Sequence, residues 1–249
     1  MRKIVFIMML FLSSSVLAAV QTSDDLFKDV EISVAGGMSW LKTSSTQTVV
    51  SAFETDNNNV RNVINHPAWK IGIGRSFFDD TLQRRQFLNR LLVELNLYQS
   101  QSSIKGSTWQ YQLPQFNNFD FSAPVKSTRL MLDFKPFLFT AKTISLYPIL
   151  GFGVAWNEFN YTETPTASGI NPASAAVLRT RMRTNFAYEI GAGVRTQITE
   201  HFSAALEYLY NPLGHVSPST SSETAAMILV APQFAIRMQT VLLSVNWKI

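Results

Sequence analysis

A chain of 249 residues with no cysteine and a formal charge of +4 excludes several classes at once. Without thiols there are no disulfide frameworks, cysteine nucleophiles or cysteine metal sites, and the Lys and Arg are dispersed rather than blocked, which gives nucleic acid no weight as a partner. Beyond the first twenty residues no stretch approaches the roughly 18 apolar residues of a transmembrane helix, so any membrane insertion must use strands.

Arg2 and Lys3 open the chain, 4–12 are apolar, and 13–19 are mostly small, with Val16 and Ala18 suited to flank a cleavage site. A secretory signal is expected over 1–18, cut after residue 18 or 19, and one barrel domain over 19–249. The apolar part of this signal is too short to span a bilayer.

Alternation begins at Val30. Val30, Ile32, Val34, Met38 and Trp40 oppose Glu31, Ser33, Ala35, Gly37 and Ser39. Trp69, Ile71, Ile73 and Phe77 oppose Lys70, Gly72, Gly74 and Ser76, and Leu91, Val93, Leu95 and Leu97 oppose Leu92, Glu94, Asn96 and Tyr98. Next, Leu130, Leu132, Phe134 and Leu138 face away from Arg129, Met131, Asp133, Lys135 and Phe137. A fifth segment sets Leu146, Leu150, Phe152, Val154 and Trp156 against Tyr147, Gly151, Gly153 and Ala155. In the sixth, Met182, Phe186, Tyr188, Ile190 and Val194 oppose Arg183, Asn185, Glu189, Gly193 and Arg195. The seventh sets Phe202, Leu206, Tyr208 and Tyr210 against Ser203 and Glu207, and the chain ends on Val241, Leu243, Val245, Trp247 and Ile249 against Thr240, Ser244, Asn246 and Lys248. A period of two between unlike faces is that of a strand separating two environments.

Connection lengths alternate as well. The segments 43–67, 100–126, 162–179 and 211–232 are long and largely polar, whereas 140–143 and 196–200 are tight, with 78–89 a longer charged exception. Long external loops and short periplasmic turns produce this pattern, and together with the signal and the greasy last strand it favours a membrane barrel over a soluble sandwich. The expectation is an all-β, up-and-down antiparallel transmembrane β-barrel of about eight strands. Over 20–249 the chain resembles the small eight-stranded outer-membrane barrels of the OmpA/OmpX type, with their opacity-like and OmpW-like relatives. That resemblance implies an outer-membrane location with loops outside and both termini in the periplasm. It also implies outer-membrane lipid and lipopolysaccharide as surroundings, and recognition of the last strand by the barrel-assembly machinery. Ile249 stands where the family usually ends in an aromatic, with Trp247 two residues earlier.

A barrel of this size has an interior that side chains can fill. Glu94, Arg129, Asp133, Lys135, Arg183, Glu189, Arg195 and Glu207 lie on the polar parity and are expected to form a structural ion-pair network in the lumen, a polar conduit being the alternative. Lys70 shares that parity. Trp40, Trp69, Tyr208 and Tyr210 toward one end, with Phe202 and Trp247 toward the other, are expected at the membrane interfaces, and Phe159 reads as part of the first group. His201, Ser203 and Glu207 share one parity, and the His-x-Ser spacing is similar to that of lipid A deacylases, but His201 falls at the wrong rim for a lipid-cleaving site. No catalytic, cofactor or metal residue is assigned. Two apolar stretches in the long connections, 115–121 and 225–231, read either as contact patches or as strand extensions. The expected role is non-enzymatic display of surface loops for envelope integrity, adhesion or surface contact. A narrow channel or carrier for small hydrophobic solutes, in the manner of OmpW-like relatives, is the runner-up, and a lipid A-modifying enzyme comes third.

Overall fold

The computed structural model describes residues 29–77, 90–141, 143–171, 174–224 and 228–249. The expected signal, the charged connection 78–89 and residues 225–227 lie outside them. Ten strands are found among the described residues: β1 Val30–Lys42, β2 Thr46–Val49, β3 Thr55–Phe77, β4 Arg90–Trp109, β5 Asn117–Phe137, β6 Phe139–Ala141, β7 Ile144–Pro165, β8 Val177–Gln197, β9 Phe202–Val216 and β10 Phe234–Lys248. All pairings are antiparallel. β1 pairs with both β10 and β3 (Glu31↔Lys248 to Lys42↔Arg237, and Val30↔Arg75 to Ser39↔His66), so the sheet closes on itself.

The count corrects the expectation of about eight strands, and with it the likeness to the eight-stranded OmpA/OmpX type. The additional strands are β2, TQTV, which lines up with β3 beyond the barrel wall, and β6, FTA, which pairs with the start of β7. Four and three residues are too few to display a period of two. A second correction concerns the long connections, much of which is strand: β3, β4, β5 and β7 are 23, 20, 21 and 22 residues long.

The reason those extensions escape a search for one greasy face is that their polarity is inverted. On β5 the outward residues Leu130, Leu132 and Phe134 give way to Thr128, Lys126, Ser122 and Asp120, while the inward ones change from Lys135, Asp133 and Arg129 to Val125, Ala123, Phe121 and Phe119. β4 does the same at Leu97/Gln99, and β7 at Trp156/Glu158. The half nearer the chain ends and short turns is greasy outside and polar inside, as a membrane requires. The loop-end half is polar outside and greasy inside, as water requires. Its core contains Ile104, Phe121, Phe159, Leu213, Phe234 and Ile236. Phe234 bridges Phe121 and Phe159, with ring centroids 5.9 and 5.6 Å apart, and each such buried ring contributes about 1.5–3 kcal/mol. Phe159 therefore points inward, not to an interface. In the segment 115–121, Phe119 and Phe121 are strand residues of this core, whereas Phe116 is exposed.

Candidate functional site

Carboxylates and cations on facing walls meet across the membrane half of the lumen. Lys135 Nζ lies 2.6 Å from Glu94 Oε2 and 2.7 Å from Glu207 Oε1, and Lys70 Nζ lies 2.9 Å from Glu207 Oε2 and 3.5 Å from Glu94 Oε2. The Ser33 hydroxyl donates to Glu94, and Tyr147 OH donates to Glu207 Oε1 at 3.0 Å. All four charged side chains are buried. A second group sits toward the chain ends, where Arg195 grips Glu31 with two bonds of 2.5 and 2.9 Å and Arg90 adds a third at 2.7 Å. A third group holds the remaining acids. Tyr98 OH lies 2.6 Å from Asp133 Oδ2 and 3.1 Å from Glu189 Oε1, and the amides of Asn96 and Asn211 donate to Asp133 and Glu189 at 2.5 and 2.6 Å.

Register explains why these groups can reach one another. Gly151 stands opposite both Asp133 and Glu189, and Gly193 opposite both Glu207 and Tyr147. A Cβ at Gly151 would collide with the Asp133 and Glu189 carboxylates, and one at Gly193 with the Tyr147 ring. The inward glycines thus make room for long side chains from the opposite walls.

The expected set is brought together in part. Glu94, Lys135 and Glu207 share one cluster, Asp133 and Glu189 another, and Arg195 joins Glu31. Arg129 is fully buried with its guanidinium carbon 5.0 Å from the centre of the Tyr98 ring, yet none of its nitrogens finds a hydrogen-bond acceptor among the described residues. Arg183 is half-buried and makes no ion pair among the described residues. Lys70, expected on the same inward parity, joins the first cluster, whereas Glu31 and Arg90 are members that the expected set left out. For Glu31 the signal was present, since it falls on the inward parity; Arg90 lies at the edge of a segment where alternation has barely begun. His201, Ser203 and Glu207 do not assemble: His201 is exposed with Nδ1 3.2 Å from the Lys248 carbonyl, while Glu207 is held by the two lysines.

At the outer face Trp40, Trp69, Tyr208, Phe202 and Trp247 are exposed and Tyr210 is half-buried. Phe202 and Trp247 stack at 6.4 Å near one edge of the greasy band, and Trp40, Trp69 and Tyr210 mark the other.

The loop end has its own polar cluster, which periodicity did not signal. Tyr161 OH donates to Glu163 Oε1 at 2.7 Å and lies 2.8 Å from Asn58 Oδ1, Thr108 reaches the same Glu163 oxygen at 2.9 Å, and the Ala176 amide donates to Glu163 Oε2 at 2.8 Å. Beside it a cavity of about 300 Å³ is lined by Glu54, Asp56, Glu163, Gln110, Phe119 and Ile228, among others. Burial pushes the Asp56 carboxyl up to about 7 against the bond it accepts from the Tyr111 amide, with Glu54 and Glu163 adding to the rise. Burial also raises Glu163. No group of three or more His, Cys, Asp or Glu among the described residues could hold a metal ion.

The family model described as outer membrane protein beta-barrel domain matches residues 5–248. No curated protein matches the chain. Among solved structures, Neisserial surface protein A is 12% identical over 89% of this chain and 98% of its own, with a TM-score of 0.40. OprG from Pseudomonas aeruginosa is 12% identical over 89% and 97%, with 0.41. The outer membrane protease OmpT from Escherichia coli is 7% identical over 88% and 97%, with 0.49.

Proposed function

The chain belongs to the outer membrane protein beta-barrel domain family, and from that premise we propose that it is a non-enzymatic barrel whose filled lumen serves as a rigid post for display of its loop end. One observation carries the reading: the loop end is a packed, aromatic-tipped structure rather than a set of floppy connections. Phe53, Tyr111, Leu113, Phe116, Leu229 and Val230 are all exposed there. They are tied to one another through Gln110 to Glu54 at 3.5 Å, Asn118 to Gln110 at 2.5 Å, and the bridge Val49↔Val230. Tyr111 and Gln112 are both held in the left-handed region, at φ 54° and 61°, an arrangement costing about 1–3 kcal/mol each that persists only where surroundings impose it, and that concentrates at functional sites. An exposed apolar rim of this kind marks a contact surface.

In this reading residues 1–18 are the export signal and 19–249 the barrel, the loop end faces outward and both termini lie in the periplasm. Outer-membrane lipid and lipopolysaccharide surround the greasy band, the last strand engages the assembly machinery, and a surface ligand meets the rim. The lumen clusters of Glu94, Asp133, Lys135, Glu189, Arg195 and Glu207 are structural. The test pairs two measurements on Phe53→Ser/Tyr111→Ser/Phe116→Ser. Whole-cell adhesion to a hydrophobic surface should fall several-fold, while purified protein in planar bilayers should give no steady conductance with or without the changes. A steady channel whose ion selectivity changes in Glu207→Gln, with adhesion unaltered by the rim changes, would establish the conduit reading instead.

A further inference from the structure

The strand pairing between β8 and β9 is incomplete. Their ladder runs from Gln197↔Ser203 to Ile190↔Tyr210 and no further, although β8 extends back to Val177 and β9 on to Val216. Above this gap the segment after β9 crosses to β8, through the bridge Leu178↔Ser222 and the bonds Arg179 N to Ser221 O at 3.1 Å and Glu223 N to Val177 O at 2.8 Å. A window in the backbone ladder remains, framed by 180–189 of β8, 211–216 of β9 and that crossing segment, and bridged in part by side chains. Gly214, at φ +76°, lies on its β9 side, facing the irregularity at Ile236/Arg237 of β10.

β8 is accessible on both faces only at the loop-end part of this window, at 179–182, while Ala187 and Glu189 farther along are buried. On the greasy face Phe186 and Met182 are 72% and 66% exposed, the highest values of the membrane band. On the opposite parity Arg181 is exposed and Arg183 half-buried, and neither has an ion-pair partner among the described residues. Beyond β9, on the outer face, Arg237 and Lys42 stand directly opposite each other on β10 and β1, a like-charge pairing that is unfavourable unless an anion lies near.

We propose that this window binds an anionic lipid of the surrounding membrane, with the lipid phosphate between Arg181 and Arg183 and an acyl chain over Met182 and Phe186. Guanidinium forks match phosphate oxygens bidentately. The site lies at the edge of the greasy band, where Met182 stands opposite Glu158, the first charged residue on the outer face of β7, the depth at which headgroups begin. An added polypeptide strand fits the window less well. Seating one would require β8 and β9 to stand about 9–10 Å apart, two strand spacings, yet Asn185 Nδ2 reaches the Leu213 carbonyl at 3.1 Å and Asn211 reaches Glu189 at 2.6 Å. The proposal needs only the membrane setting and is independent of the display role.

Native mass spectrometry of the full barrel tests it, with phosphatidylglycerol and phosphatidylcholine of identical chains as probes. Phosphatidylglycerol should be retained at concentrations at least about tenfold lower, corresponding to about 1.4 kcal/mol. Arg181→Gln/Arg183→Gln should abolish that preference, Arg181→Lys/Arg183→Lys should keep a reduced one, and Arg61→Gln, which breaks an exposed pair with Asp120 elsewhere, should leave it intact. Equal thermal unfolding of the variants certifies that the barrel is formed. Equal retention of the two lipids would overturn the proposal, as would a preference that survives the double Gln change. Displacement of phosphatidylglycerol by millimolar inorganic phosphate would also overturn it, by showing a simple anion site.

Discussion

Lys135→Met removes one cation from a closed group of two lysines and two glutamates. Its Nζ makes two short charge-assisted bonds, 2.6 Å to Glu94 and 2.7 Å to Glu207, at a site with 2% exposure. Once it is gone, Glu94 and Glu207 must share Lys70, which stands 3.5 Å from one and 2.9 Å from the other. Breaking a buried pair by removing one partner costs about 3–5 kcal/mol, because the remaining charge stays desolvated. With a urea slope of about 2 kcal/mol/M, the unfolding midpoint in lipid vesicles should fall by about 2 M. Lys135→Met/Glu207→Gln restores neutrality and should recover more than half of that loss. The discriminating quantity is therefore the coupling, not the single loss. If the double change costs the sum of the two singles, the charges are screened by water, and the lumen is an aqueous path rather than a filled core.

Other outcomes follow from the inversion of polarity and from the loop-end acids. Leu132→Arg on the outer face of β5 should cost about 2–4 kcal/mol if it lies near the bilayer midplane, whereas Ser122→Arg on the same strand and same parity should be nearly neutral in the same vesicle titration; equal penalties would place both in lipid. Phe121→Ala should destabilise by about 3–5 kcal/mol as a buried ring lost from the loop-end core, and a change below 1 kcal/mol would mean that this half is not packed. Asp56, whose carboxyl is raised to about 7, holds a proton in the folded protein over a range where the unfolded chain has lost it. Its contribution is full below about pH 4 and disappears as pH rises through about 7. Amide exchange of the loop end should therefore quicken from pH 5 to 8 after correction for intrinsic rates, and Asp56→Asn should remove that added acceleration.

How much of this could be read in the sequence depends on which half of a strand is considered. Leu91 to Tyr98, or Leu130 to Phe137, alternate with the phase that a membrane demands, and their inward and outward placement follows directly from parity. The continuation from Phe119 to Lys126 alternates just as regularly, but with the phase reversed, so a reading that asks for greasy residues outside sees a loop. The signal that could have found it is persistence of the period through the change of phase near Ser127. Contacts between distant walls were less legible. Parity places Glu94, Lys135 and Glu207 in the lumen, but whether Lys135 or Arg129 meets them depends on stagger around the barrel, which is set by the register of all the ladders together. Arg183 shows the limit of parity most clearly: it has the inward phase, yet it is only half-buried and makes no ion pair among the described residues, at a point where the ladder between β8 and β9 has already ended.

The polarity inversion also has a mechanical consequence. In β4, β5 and β7 one solvent preference stops where the opposite one starts, within a single pair of residues such as Leu97 and Gln99. Sliding the barrel by one such pair, about 5 Å along the membrane normal for strands of ordinary rise and tilt, would either lift a ring of greasy side chains into water or drag a ring of Gln, Lys, Glu and Thr into oil. At about 1–3 kcal/mol for each apolar side chain exposed, either displacement costs on the order of 10 kcal/mol. A uniform greasy cylinder would bob and tilt with the thickness of its bilayer; this one is seated like a float with a marked waterline, and a pull on its tip is transmitted to the membrane rather than absorbed by the protein.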